Sequence, residues 1–146
     1  MNSKRYYTVL VVLLPIVYLF HNLEELLVFR ANADRIVSMI PKALGVYFPN
    51  EPQKLVSMFG IAIIFATILP IIVALLIWKR DTLLHTKILV IAAIATLFNA
   101  LSHISSSVSL GFLSPGVITG VLLCLPYFVG VAIYNHRFSQ MKLKQI

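Results

Sequence analysis

From residue 88 to residue 135 the chain reads ILVIAAIATLFNALSHISSSVSLGFLSPGVITGVLLCLPYFVGVAIYN, a run without a single Asp, Glu, Lys or Arg. At 1.5 Å of rise per residue, one helix of that length would be roughly twice the ~30 Å hydrocarbon core of a bilayer. The run is not one helix, however, because Gly111-Phe112-Leu113-Ser114-Pro115-Gly116 interrupts it with a strong turn signal. The stretch therefore reads as a hairpin of two membrane spans. Ser114 is expected to cap the second of them, with Pro115 at its first helical position, where the missing N–H costs nothing.

Working outward, the same criterion of about 20 apolar residues is met by residues 6–29, 55–78, 84–110 and 115–135. The expectation is a single transmembrane domain over residues 1–146, an all-α membrane-embedded four-helix bundle with a long outer loop after the first helix. Composition agrees, with 60% hydrophobic and 12% charged residues and a mean hydropathy of +0.93, well beyond what a water-soluble domain of this size carries. The net charge of +7 does not point to nucleic acid, because the basic residues sit at chain ends and between apolar runs rather than in one stripe. They follow topology instead. Lys4, Arg5, Lys79, Arg80, Lys87, Arg137, Lys142 and Lys144 fall on one side and Arg30, Arg35, Lys42 and Lys54 on the other, so both termini are expected in the cytoplasm.

The N-terminal Lys4, Arg5 and apolar stretch imitate a signal peptide. Glu24, Glu25 and Arg30 separate that stretch from the small residues Ala31 and Ala33, so the first span is expected to be retained. The loop from Arg30 to Lys54 mixes Ile36, Met39, Tyr47 and Phe48 with polar residues, and Pro41, Pro49 and Pro52 limit its helices. It should lie on the membrane surface as a cap. Pro15, Pro70 and Pro126 fall inside spans and should bend them. Cys124, the one cysteine, forms no disulfide or metal motif.

Two polar stripes stand out against this background. His21, Glu24 and Glu25 lie in the last turns of the first span, and at 100° per residue the glutamates flank the histidine direction at about −60° and +40°. On the third span Thr96, Asn99, His103, Ser106 and Ser107 share one narrow face. His21 lies fifteen residues beyond Tyr6 and His103 fifteen beyond Ile88, so two spans running the same way place both imidazoles at one depth. The fourth span begins at that level. Ser114, Gly116 and Thr119, with the free N–H groups of Gly116 and Val117, would aim the positive end of its helix dipole at the cluster as a substrate or anion subsite.

An ionised side chain at mid-membrane costs ~2.5–3.5 kcal/mol on insertion scales, so intramembrane carboxylates are paired or used. No Lys or Arg within the spans is placed to pair with these two, and Arg30 lies almost opposite Glu25 on the helix. A divalent metal, with zinc the first candidate, fits a set of His21, Glu25 and His103 with one open position. Glu24 is then the candidate general acid or base and Asn99 an orienting partner. Plainer readings remain: the glutamates in headgroups, and the histidines as a structural pair. The serines read as packing residues, His85 and His136 as headgroup contacts, and Gly116 with Gly120 as a close-packing pair.

His21-Asn22-Leu23-Glu24-Glu25, a later intramembrane histidine and the Pro115-Gly116 turn resemble the HXXEE family of small bacterial multi-pass membrane proteins, over most of the chain. The resemblance implies a location in the bacterial cytoplasmic membrane and carries no assigned function. The family pattern has a Tyr-x-Pro-Gly where this chain has Leu113-Ser114-Pro115-Gly116, so no tyrosine hydroxyl is supplied at that point.

The functional expectation is an intramembrane metal-dependent enzyme, of hydrolase or oxidase/hydroxylase type. It would act on a lipid or other apolar small molecule in the outer half of the bilayer, with membrane lipids as its surroundings and no nucleic acid. Two alternatives stay open. One is a metal-free Glu/His acid–base isomerase of a sterol-like or isoprenoid substrate. The other is a non-catalytic cation or proton carrier or sensor, which the wholly apolar stretches 9–14 and 71–77 disfavour.

Overall fold

The structure is a computed structural model that describes residues 3–41, 44, 45, 47–78 and 82–139. The basic residues Lys42, Lys79, Arg80, Lys142 and Lys144 used in the charge count, and Asp81, lie outside the described residues.

Helix α1 (Ser3–Ala31) buries Tyr7, Leu10, Val11, Leu14, Val17 and His21, a three-and-four spacing that makes one continuous stripe. Asn32 breaks the helix and a short α2 (Ala33–Met39) follows, a helix of two turns that stops just before Pro41. Helix α3 (Pro52–Ile77) starts with proline at its first position, where no N–H is missed. Helix α4 (Leu83–Leu110) is capped by the Thr82 hydroxyl, which accepts from the His85 N–H at 3.4 Å. It ends at Gly111, whose φ of 67° closes the helix in the left-handed conformation.

The fourth span, Val117–Arg137, departs most from expectation. Ser114 does not cap it and Pro115 is not in it: the turn closes through Gly116 at φ 84°, and α5 (Val117–Thr119) begins one residue later. A π-helical turn, Gly120–Cys124, then precedes α6 (Leu125–Tyr134). The wider turn has a clear cause. Pro126 offers no N–H and its ring would strike the carbonyl one turn back, and inserting an extra residue per turn relieves that conflict. A second π turn, Asn135–Ser139, follows.

Among the described residues four helices are thus long and apolar enough to cross a membrane, and the protein is an integral membrane protein built as an all-α four-helix bundle. Its core joins Tyr7, Leu10 and Leu14 of α1 to Ala74 and Ile77 of α3, Leu89, Ala93 and Ala100 of α4, and Tyr127, Val131 and Tyr134 of α6. Small residues set the spacing: a Cβ on Gly120 would lie 3.3 Å from the Ala100 Cα, so α4 and the π turn meet backbone to backbone. Large side chains on the outer faces, such as Phe65, Leu75 and Val108, are 69–80% exposed, as befits contact with lipid tails.

Buried tyrosines pin the spans at the end away from the histidines. Tyr7 Oη donates to the Ile77 carbonyl at 2.9 Å and Tyr127 Oη to the Leu10 carbonyl at 3.1 Å. Tyr127→Phe is expected to cost ~1 kcal/mol, the usual net worth of one hydrogen bond, read as a lower unfolding midpoint in detergent with the site's chemistry intact. At the opposite end Phe29 stacks on Phe59 with centroids 3.9 Å apart, and Arg35 sits 4.1 Å over the Phe112 ring, tying α2 to the turn after α4.

Candidate functional site

His21 is fully buried among α1, α4 and the fourth span. Its Nδ1 lies 2.9 Å from Thr119 Oγ1 and its Nε2 2.7 Å from Asn99 Nδ2. The Thr119 hydroxyl in turn donates to Glu24 Oε2 at 2.5 Å. One hydroxyl proton cannot serve two bonds, so Thr119 accepts from His21 and Nδ1 carries the hydrogen. Nε2 is left with its lone pair, which accepts from the Asn99 amide.

Glu24 does more than bond a hydroxyl. It also accepts the backbone N–H of Ile118 at 3.2 Å and that of Thr119 at 2.7 Å. The carboxylate therefore occupies the positive end of α5 itself. The anion subsite expected there is filled from within the chain, through the N–H groups of Ile118 and Thr119 rather than those of Gly116 and Val117. The Val117 N–H instead bonds the Ser114 carbonyl at 3.2 Å. The Ser114 hydroxyl donates to the Pro115 carbonyl at 3.4 Å, its N–H to Ser107 Oγ at 2.8 Å, and neither bond reaches the imidazoles.

Glu25 sits between the two histidines, its Oε2 4.0 Å from His21 Nε2 and its Oε1 3.9 Å from His103 Nε2. The imidazole centroids are 5.1 Å apart. One donor atom from each of His21, Glu25 and His103 lies within 4.8 Å of the other two. Donors around a tetrahedral zinc stand about 3.3 Å apart when the bonds are ~2.0–2.1 Å long, so the set would have to close by up to about 1.5 Å around an ion. His103 Nε2 is buried with no hydrogen-bond partner among the described residues, a costly condition for an imidazole nitrogen and one that a cation or a proton shared with Glu25 would relieve.

Gly116 is the lid on this arrangement. A Cβ added to it would lie 2.8 Å from His21 Cε1 and 2.9 Å from His103 Nε2. The turn backbone thus rests on both rings, which explains why glycine stands there and why the helix starts late. The structure brings His21, Glu24, Glu25, Asn99, His103, Gly116 and Thr119 into one assembly, with Ser114 beside it.

Two polar residues here escaped the sequence reading. Asn22, 4% exposed, donates through Nδ2 to Thr67 Oγ1 at 2.8 Å, and Thr67 bonds back to the Ile63 carbonyl at 2.8 Å. A signal existed. Thr67 is the one polar side chain between Phe59 and Ile77, and a lone polar residue in such a run needs a partner on a neighbouring span.

Fold and site together define a small polytopic membrane protein with a His/Glu cluster closed over by a Pro-Gly turn. The chain belongs to the HXXEE family, described as "Protein of unknown function with HXXEE motif", which it matches over residues 12–131. The motif is His21 to Glu25. No curated protein and no solved structure matches the chain.

Proposed function

We propose that this protein is an intramembrane enzyme that binds one divalent cation, zinc foremost, through His21 Nε2, His103 Nε2 and a Glu25 oxygen, and acts on a lipid-like small molecule. The observation that carries the reading is the partnerless His103 Nε2 facing a carboxylate that also faces His21. A bound cation would supply Lewis acidity to a polar group of the substrate.

The remaining side chains have separate tasks. Glu24 is tethered by three donors, so it holds Thr119 and through it the His21 tautomer rather than moving protons on substrate. Asn99 guards the Nε2 lone pair and must release it when a cation enters. We read the termini as cytoplasmic on the positive-inside count, and with them the site as lying in the outer half of a bacterial cytoplasmic membrane.

Elemental analysis of detergent-purified protein beside His21→Ala and His103→Ala tests the reading. The expected result is stoichiometric metal in the wild type and its loss in both variants, while no metal under any loading condition overturns it. A metal-free acid–base reading is favoured by one contact, the 2.7 Å bond that fills the lone pair of His21 with Asn99. Asn99→Ala separates the two. It leaves metal content intact in the first reading and removes the polarising partner in the second.

A further inference from the structure

The site has a side entrance. Between α3 and α4 a cavity of about 570 Å³ reaches inward to Asn22, Glu25 and Asn99. Its walls are thinned by Ala62, Ala66 and Ala95 and its rim carries the exposed ring of Phe98. A second cavity of about 240 Å³, lined by Leu14, Leu69, Val73, Ile88 and Ile91, shares Tyr18 and Ala95 with the first and continues it toward the other face. From Asn99 to Ile88 the combined groove runs eleven residues of α4, or ~16 Å at 1.5 Å per residue.

We infer that this groove is the substrate channel of the site, and that its occupant is a single-chain amphiphile with an uncharged polar head, such as a long-chain alcohol, entering sideways from the bilayer. The inference rests on the proposed catalytic reading for its meaning but not for its geometry. Polarity runs one way along the groove. Asn22, Glu25, Asn99 and Ser102 are grouped at the end beside the histidines, and the far end is aliphatic apart from the Tyr18 ring. A tail therefore lies away from the cluster and a head against it.

Charge selects the head. Among the residues lining either part there is no Lys or Arg, and the one formal charge belongs to Glu25. With no cation bound, as in His103→Ala, a phosphate or carboxylate head would meet Glu25 as a like charge in a low-dielectric site without compensation. A hydroxyl or amide meets asparagine and serine groups able to donate and accept.

The test uses the full chain in phosphatidylcholine nanodiscs with three photoactivatable probes, each carrying a diazirine in its tail: a long-chain alcohol, the fatty acid of the same length, and phosphatidylcholine. The expected result is alcohol labelling of Ile63, Leu69 and Ile91 at least several-fold above that of Ile61, Phe65 and Leu75 on the outer face of α3. Excess unlabelled alcohol should suppress it, and the fatty acid and phosphatidylcholine should label the groove weakly. Ala95→Trp should cut groove labelling about tenfold; competition in the wild type serves where that variant does not fold. Even labelling of groove and outer residues, indifference to the competitor, or equal labelling by phosphatidylcholine overturns the proposal. His103→Ala should remove metal and keep the labelling, so failure of the channel and failure of the metal site read separately.

Discussion

Gly116→Ala is expected to dismantle the site, whereas Gly111→Ala, at the same turn, should leave it intact. Both glycines hold positive φ, 84° and 67°, so both substitutions incur backbone strain of ~1 kcal/mol. Their surroundings differ completely. A Cβ at Gly111 meets nothing within 4 Å, while one at Gly116 would stand 2.8 Å from His21 Cε1, 2.9 Å from His103 Nε2 and 3.1 Å from His103 Cδ2. None of these atoms belongs to a flexible side-chain end. His21 is held at both nitrogens, so relief must come from displacing the turn or rotating His103 away from Glu25. Overpacking of this kind adds ~1–3 kcal/mol. The expected outcome for Gly116→Ala is loss of bound metal and a markedly lower unfolding midpoint, against a small shift and full metal content for Gly111→Ala. Equal behaviour of the two variants would show that the turn does not bear on the imidazoles.

The fold was largely legible because hydrocarbon imposes few solutions. A charge-free run with a Gly-rich turn at its middle has to be two spans, and the four apolar windows coincide with helices to within a few residues at most ends. The directions of His21, Glu24 and Glu25 follow from 100° arithmetic, and the structure brings His21 and Glu25 to His103 as the matched depths required. What the sequence could not convey is how each helix is rolled against its neighbours. Glu24 and Glu25 differ by one position, yet one caps α5 and the other faces two imidazoles. Backbone donors such as the Ile118 N–H have no residue identity to read. The π turn at Gly120–Cys124 depends on accommodating Pro126 while keeping Gly120 against Ala100, a tertiary requirement. The α3–α4 groove is equally invisible, since alanines at 62, 66 and 95 read as ordinary spacers until the helices are placed.

Glu24→Gln should uncouple the site, because an amide reverses the bond to the Thr119 hydroxyl and gives up one acceptor at the start of α5. In the native chain the carboxylate accepts from the Ile118 N–H, the Thr119 N–H and the Thr119 hydroxyl. That last bond obliges the hydroxyl to accept from His21 Nδ1–H and keeps the lone pair on Nε2, toward Glu25 and Asn99. A glutamine has one accepting oxygen: directed to the Ile118 N–H, it turns an NH₂ group onto Thr119, where the Thr119 N–H loses its acceptor and the hydroxyl must accept. The hydroxyl then accepts from the amide and donates to His21, whose hydrogen must move to Nε2. With Nε2 protonated, the imidazole no longer offers a donor atom to a cation between itself and Glu25. Nitrogen chemical shifts of isotopically labelled histidine should report Nδ1–H in the wild type and Nε2–H in Glu24→Gln. Metal affinity should fall by roughly 10–100-fold, the usual effect of removing a ligand's orienting partner. Thr119→Val should lower affinity similarly by deleting the link, and Thr119→Ser should restore it. An unaltered tautomer and affinity in Thr119→Val would mean that Glu24 serves the helix end alone, and that the orientation of His21 is governed from the Asn99 side.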